Sequence, residues 1–313
     1  MSEKRHRARN AAVVVLVILA LAALAVCLHP VTVGEQTARW MLFCHGVHSR
    51  STMIDGHRIH YYEAPARGTA REVPLVLVHG LGGRGEDWVN FLPALAAQGY
   101  HVYAPELLGY GRSARPGDAT YSISEEEDVI AKFMQDRGLQ QADVMGWSMG
   151  GWITLKLALD KPQMVRRVIL IDAAGIYFHP PMSLALFAPD SEDQLQELFH
   201  YLEPADRRLP YLVARDALKH MQRNAWIVNR SALAMMDGTD LLDFRLRALS
   251  QPTLIVWGES DRLIDASVGR RMHQLIPNSS YVGLNGCGHL VPIECSRRAL
   301  PPMEEFLKAG NKD

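Results

Sequence analysis

Three residues that lie far apart in this 313-residue chain, Ser148, Asp261 and His289, have the types and the order that nucleophilic acyl transfer needs. Ser148 stands in Gly146-Trp147-Ser148-Met149-Gly150, where the apolar run Asp143-Val144-Met145-Gly146 gives way to a helical pattern starting at Trp152. A serine at a sharp strand-to-helix turn is held above the sheet edge in a strained conformation, and the flanking glycines let neighbouring segments approach it. A hydroxyl is un-ionised at neutral pH, so it needs a base to take its proton and an acid to orient that base. Asp261 follows the apolar strand Thr253-Leu254-Ile255-Val256-Trp257, and His289 ends the slim loop Gly286-Cys287-Gly288-His289. Catalytic groups of open α/β sheets gather beyond the carboxyl ends of the strands, where such positions fall. Asp172, after Val168-Ile169-Leu170-Ile171, is a rival for the acid, while Asp265 is placed rather to cap a helix.

Attack on a carbonyl also develops charge on oxygen, which needs donors aimed at it. The backbone N–H of Met149 is one candidate, and that of Leu81, after the strand Leu75-Val76-Leu77-Val78, is the other.

Holding these groups together requires strands and helices in alternation. Residues 51–64 read as a hairpin turning at Asp55-Gly56, followed by a strand ending at His79, a helix near Trp88 to Ala97 and a strand over 101–104. Ser124-Glu125-Glu126-Glu127 reads as a capping box opening a helix whose Val129, Ile130, Phe133 and Met134 share one face and which Gly138 closes. Alternation through Asp172 predicts an α/β fold, a mostly parallel sheet with helices on both faces. It stops over residues 176–247, which read as an inserted helical cap dividing a core of 51–175 and 248–313. Stripes such as Leu195, Leu198, Phe199 and Leu202 pack that cap onto the body. The surplus at Met182, Leu184, Leu186, Phe187, Met235 and Met236 suits the lining of an acyl pocket.

Residues 11–28 carry no charge and at ~1.5 Å per residue reach about 27 Å, close to the ~30 Å of a hydrocarbon core. They predict a transmembrane helix after a basic cytoplasmic segment, residues 1–10 with Lys4, Arg5, Arg7 and Arg9, so the catalytic part faces the periplasm or the outside. Secretion after signal-peptide cleavage near Ala23-Leu24-Ala25 is the alternative. In the juxtamembrane segment 29–50, Trp40 and Phe43 suit either the headgroup layer or packing on the domain.

The chain resembles the α/β-hydrolase superfamily over nearly everything after residue 50. Five successive motifs carry that resemblance: His79-Gly80-Leu81-Gly82, Glu106 to Ser113, Gly146 to Gly150, Trp257 to Asp261 and Gly286 to His289. It is most similar to membrane-anchored monoacylglycerol-lipase-like serine hydrolases, with their hydrophobic amino terminus and an Ala-Gly pair as at Ala174-Gly175. This implies hydrolysis of carboxylic esters of acylglycerols, a triad on Ser148, Asp261 and His289, and no cofactor. Glu106 replaces the family's common aspartate and Ser296 a common proline, which leaves substrate choice open. Hydrolases of carbon–carbon bonds in ring-cleavage products use the same triad and are the alternative.

One pattern points elsewhere. Gly80-Leu81-Gly82-Gly83-Arg84-Gly85 fits a dinucleotide-binding loop, with Glu106 where a ribose-binding acid would stand, so an NAD-dependent oxidoreductase is a further alternative. It leaves Ser148, Asp261 and His289 without a purpose. A net charge of -1 and the lack of a basic stripe argue against nucleic acid as a partner, leaving a small ester or lipid and the membrane. The residues set no oligomeric state. His57 and His60 point to opposite faces of a strand, and His45 and His48 could meet on a helix but have no third partner, so no metal is expected. Of the four cysteines, Cys287 and Cys295 are expected as buried free thiols, a pair between them being the outcome in an oxidising compartment.

Overall fold

In the computed structural model, Asp55 and Gly56 both take positive φ (48° and 79°), the twist of a two-residue turn that matches paired strands. The turn joins β1 (His48–Ile54) to β2 (His57–Ala64), and β1 starts before residue 51 because its pairing runs out to His48 opposite Glu63. The structure describes residues 2–205 and 207–309, less the side chains of residues 2–5, 8, 9, 11, 19, 21 and 22. Lys4, Arg5 and Arg9, which carry the expected orientation, are among those side chains and lie outside the description.

Six further strands complete one sheet: β3 (Leu75–Val78), β4 (Val102–Pro105), β5 (Ala142–Trp147), β6 (Val165–Ile171), β7 (Thr253–Gly258) and β8 (Ser279–Leu284), in the order β1-β2-β4-β3-β5-β6-β7-β8. The pairs β1–β2 and β2–β4 are antiparallel and all others parallel. Central parallel strands are buried on both faces, and their period of two divides the core. Val76, Val78, Val144 and Leu170 lie in one cluster with Ile130 and Phe133 of α4 (Ile123–Asp136) and Ile153 of α5 (Met149–Asp160). Leu75, Leu77, Met145 and Ile171 lie in the other with Phe91 of α3 (Phe91–Ala97) and Met303 of α10 (Ser296–Lys308).

Two helix starts differ from expectation. The segment before β4 is a 3₁₀ turn, Gly85–Trp88, followed by α3. Helix α4 is capped by Ser122, whose Oγ accepts from the Glu125 amide, because Glu125 reaches back to the Tyr121 amide at 2.6 Å. Ser124 instead donates to Asp240 at 2.6 Å.

Between β6 and β7 the described residues hold no strand. A 3₁₀ turn (Leu184–Phe187), α6 (Glu192–Leu202) and α7 (Tyr211–Met236) pack on one another, and α7 lies against α4. Met182 and Leu186 join the same core cluster as Met149 and Trp152, with Phe187 and Met235 half-buried against it. Met236 points outward, so that part of the apolar surplus lines nothing.

At the amino end, α1 (Ser2–Leu28) exposes Val13, Val14, Val15, Leu16, Val17 and Ile18. Among the described residues no single helix is long and apolar enough to cross a membrane. Ala12–Leu28 and α2 (Pro30–Cys44) pass together by length and composition, across a bend of 112°. Helix α2 packs on α7 and on the Gly85–Trp88 turn. The Val31 amide donates to Asp216 at 2.9 Å and Arg39 binds Glu86 at 2.5 Å. Leu42 is buried, whereas Trp40 (66% exposed) and Phe43 (75%) are not packed against the domain. His45 ends α2, its Nδ1 against the Met41 carbonyl, and His48 opens β1, so the two share no helix.

Candidate active site

Ser148 sits between β5 and α5 with φ 54° and ψ −120°, a region a non-glycine residue occupies at a cost of about 1–3 kcal/mol. The residues around it make the turn possible. A β-carbon on Gly150 would collide with the Val78 carbonyl and one on Gly146 with the Gly150 carbonyl, so only glycine lets α5 rest directly on β3 and β5. The preceding strand and the following helix thereby hold the hydroxyl at the carboxyl edge of the sheet.

The loops after β7 and β8 bring the other two residues to it. His289 Nε2 lies 2.9 Å from Ser148 Oγ, and His289 Nδ1 lies 2.8 Å from Asp261 Oδ2. An ionised carboxylate only accepts, so the proton is on Nδ1 and Nε2 faces the serine with its lone pair. The other oxygen of Asp261 accepts from the amides of Leu263 (2.8 Å) and Ile264 (3.0 Å), which leaves its carboxylate no freedom to turn. The histidine loop is pinned from two sides. Trp147 Nε1 donates to the His289 carbonyl at 2.9 Å, and the His289 amide donates to Leu202 of the cap at 3.0 Å. Asp261 (5% exposed) and His289 (3%) are both withdrawn from water, which strengthens the pair between them.

Cys287 and Cys295 bracket this loop and are bonded to each other, which corrects the expectation of two free thiols. The short helix α9 (Val291–Glu294) turns the chain back so that residues eight apart meet, a fold of the loop that spacing alone does not reveal. Cys27 and Cys44 are free and exposed.

The rival acids have other work. Asp265 caps α8 (Ala266–Leu275) by accepting from the Ser267 amide. Asp172 is fully buried, takes the Gly258 amide on one oxygen at 2.7 Å and has no partner on the other. Burial, and then the charge of Asp261, push its carboxyl well above the ordinary carboxylate range.

The loop after β3 passes over the serine. A β-carbon on Gly80 would stand 3.0 Å from that of Ser148 and 3.6 Å from its Oγ, so the residue before Leu81 lies directly against the serine. Met149 opens α5, and the first N–H groups of a helix have no intrahelical acceptor. His79, which sequence reasoning left without a role, holds this loop in place. The Leu107 amide donates to its Nε2 at 3.1 Å, so its Nδ1 carries the proton toward the Gly80 carbonyl at 2.8 Å. Burial lowers its pKa to about 4, although the Gly80 carbonyl works the other way, and the ring stays neutral.

Glu106 is equally occupied. Its oxygens accept from His60 Nδ1 (2.9 Å) and from the amides of Gly85 (3.1 Å) and Arg112 (2.5 Å). Burial alone would raise its pKa, but His60 and these amides bring it down to about 2. It therefore ties β2 to the Gly85–Trp88 turn and the loop after β4 and has no oxygen to offer a ribose, so the dinucleotide reading fails on geometry. His60 is spent on Glu106 and Ser49, and among the described residues no group of three or more His, Cys, Asp or Glu could hold a metal ion.

Comparison with known proteins agrees with this arrangement. Residues 75–300 match the model of the alpha/beta hydrolase family. Lipase 1 of Psychrobacter immobilis is 27% identical over 259 residues, 78% of this chain and 78% of that protein. The 2-hydroxymuconate semialdehyde hydrolase of Pseudomonas putida is 30% identical over 253 residues, 75% of this chain and 86% of that one. Among solved structures, a membrane phospholipase A described as a bacterial virulence factor superposes with a TM-score of 0.78 at 25% identity, covering 96% of this chain and 98% of that chain.

Proposed function

The chain belongs to the alpha/beta hydrolase family, and within it we propose a membrane-anchored serine esterase that acts on acyl esters of glycerol lipids by way of Ser148, His289 and Asp261. The observation that carries this reading is the continuous relay from Ser148 Oγ through both ring nitrogens of His289 to Asp261, at 2.9 and 2.8 Å. His289 Nε2 takes the serine proton as Oγ attacks the ester carbonyl. The amides of Leu81 and Met149 receive the oxyanion, and His289 returns the proton to the leaving alcohol. Water, activated by the same nitrogen, then frees the acid. Asp261 holds the imidazole in the tautomer that can accept.

An ester of a lipid is favoured by the exposed apolar face of α1, by Trp40 and Phe43 on α2, and by the likeness along 96% of the chain to a membrane phospholipase A. The cysteine pair beside His289 supports an oxidising compartment for the catalytic part, consistent with an uncleaved anchor whose amino end is cytoplasmic. The likeness to 2-hydroxymuconate semialdehyde hydrolase keeps one second reading, cleavage of a carbon–carbon bond by the same triad.

The full chain in detergent, offered a monoacylglycerol, a p-nitrophenyl ester and a ring-cleavage dienoate, decides between them. Oleate or nitrophenol release, together with fluorophosphonate labelling that Ser148→Ala abolishes, is the expected result. Turnover of the dienoate alone establishes the second reading, and ester turnover that survives Ser148→Ala refutes both.

A further inference from the structure

Beside the relay, α2, the loop after β3 and the cap helix α7 enclose a cavity of about 580 Å³ whose lining includes four arginines, Arg39, Arg84, Arg115 and Arg223, against one glutamate, Glu35. Two of those cations are already matched. Arg39 binds Glu86, and Arg84 binds Glu35. Arg115 gives one N–H to the Gly111 carbonyl at 2.6 Å, and among the described residues neither it nor Arg223 has a carboxylate partner. Glu35, Glu86 and Asp87 thus surround Arg39 and Arg84, and the unmatched cations of the cavity are Arg115 and Arg223, on opposite contributors, the loop after β4 and α7. Its remaining wall is apolar, from Phe187, Met221 and Val228. A guanidinium surplus facing an apolar wall suits an amphiphile with a phosphate, since arginine meets phosphate through paired N–H donors.

The place of the cavity adds the second argument. Gly82 and Gly83 line it, and Gly80, two residues back, lies against Ser148. Gly80 and Gly83 close a tight turn, the Gly83 amide donating to the Gly80 carbonyl at 3.0 Å, so the ends of that turn lie within about 7 Å of each other, a span that a glycerol backbone between phosphate and acyl carbonyl can bridge. On its other side the cavity is closed by Thr32, Glu35 and Arg39 of α2, the helix that follows the apolar α1 and exposes Trp40 and Phe43.

We propose that this cavity seats the phosphate of a lipid head group, with Arg115 and Arg223 as the specificity-determining residues. The substrates are then phosphate-bearing glycerolipids rather than neutral ones. This rests on the esterase reading above and names its substrate class.

The test compares 1-oleoyl-glycerol with 1-oleoyl-glycerol 3-phosphate, which differ by the phosphate alone, as substrates of the full chain in neutral-detergent micelles. The wild type is expected to favour the phosphate ester in kcat/KM. Arg223→Gln, on an exposed position of α7, lowers that preference about tenfold through KM, the worth of one charge-assisted hydrogen bond, and Arg223→Lys retains part of it. Arg115→Gln acts in the same direction. A wild-type ratio near one, or a ratio unmoved by Arg223→Gln, overturns the proposal. Inorganic phosphate that raises Tm while the ratio stays unmoved assigns the cavity to a free anion and also overturns it. If neither lipid yields oleate and fluorophosphonate leaves Ser148 unlabelled, the esterase reading fails and takes this one with it.

Discussion

Replacing Asp261 by asparagine tests the relay at its least visible member. The carboxylate has two distinct oxygens: Oδ1 accepts from the amides of Leu263 and Ile264, and Oδ2 faces His289 Nδ1. Those two amides need an acceptor, so an asparagine must put its carbonyl oxygen there and its NH₂ toward the histidine. The NH₂ donates to Nδ1, the ring proton moves to Nε2, and the nitrogen facing Ser148 can no longer accept. The expected loss in kcat is about 10³- to 10⁴-fold, or roughly 4–5.5 kcal/mol of barrier, of the size this swap produces in serine-hydrolase triads. The matched control is Asp172→Asn. Because Asp172 is buried, with its carboxyl pushed well above the ordinary carboxylate range, and accepts from the Gly258 amide, an amide of the same shape keeps that acceptor and brings no charge into the core. The expected change in kcat is within about threefold, under 1 kcal/mol. Both variants are assayed with an activated ester at several pH values, with circular dichroism to check the fold. A loss below tenfold for Asp261→Asn, or a larger loss for Asp172→Asn, refutes the assignment of the acid.

Further outcomes follow from strain, from the cysteine pair and from two displaced titrations. Ser148→Gly removes the positive-φ strain, and although it gives up the hydrogen bond to His289, Tm in a thermal scan is expected to rise by roughly 1–3 °C while activity disappears. Reducing the Cys287–Cys295 bond reopens a short loop worth about 2.5 kcal/mol in chain entropy, so Tm should fall, and kcat with it, because His289 lies inside that loop; identical melting with and without reductant would contradict this. Stability should peak in mildly acid solution for two reasons of opposite sign. His79, lowered to about 4 by burial, contributes stability that is present above its ordinary 6.5 and lost as pH falls through about 4. Glu294, raised to about 7 by burial and by neighbouring Glu203, contributes stability that is present below its ordinary 4.5 and lost as pH rises through about 7. Tm measured from pH 4 to 9 should therefore pass through a maximum, and Glu203→Gln should flatten its alkaline side.

The readable part of this molecule is the part that local backbone rules control. Ser148, Asp261 and His289 each follow an apolar strand, and a parallel sheet places strand ends on one edge whatever the side chains between them do. Hence their convergence could be inferred from order alone, and so could the turn at Asp55-Gly56. What could not be read depends on contacts between distant segments or on the absence of water. The Cys287–Cys295 bond depends on α9 folding the loop back, and the early start of α4 depends on Glu125 choosing the Tyr121 amide. Asp172 and Glu106 look equivalent in sequence, each an acid just after a buried strand. One becomes a carboxyl shifted upward beside Asp261, and the other an ionised clamp on β2 and two loops. The difference lies in their neighbours: Asp172 faces the charge of Asp261, whereas Glu106 is met by His60 and two backbone amides.

The same reasoning explains why the arginine-lined cavity went unseen. Its cations come from α2, from the loops after β3 and β4 and from α7, nearly two hundred positions apart, and no stripe or run announces them. Glu35 and Glu86 match Arg84 and Arg39, and the surplus remains because among the described residues no carboxylate reaches Arg115 or Arg223. Since α2 reaches α7 through the Val31–Asp216 and Thr32–His220 contacts, the helix that follows the apolar amino terminus is also a wall of the cavity and a support of the cap. Removing residues 1–44 should therefore do more than delete an apolar segment: it opens the cavity on one side and strips Glu86 of its cation. A truncated chain that keeps the phosphate preference of the full one would show that α2 does not shape the cavity.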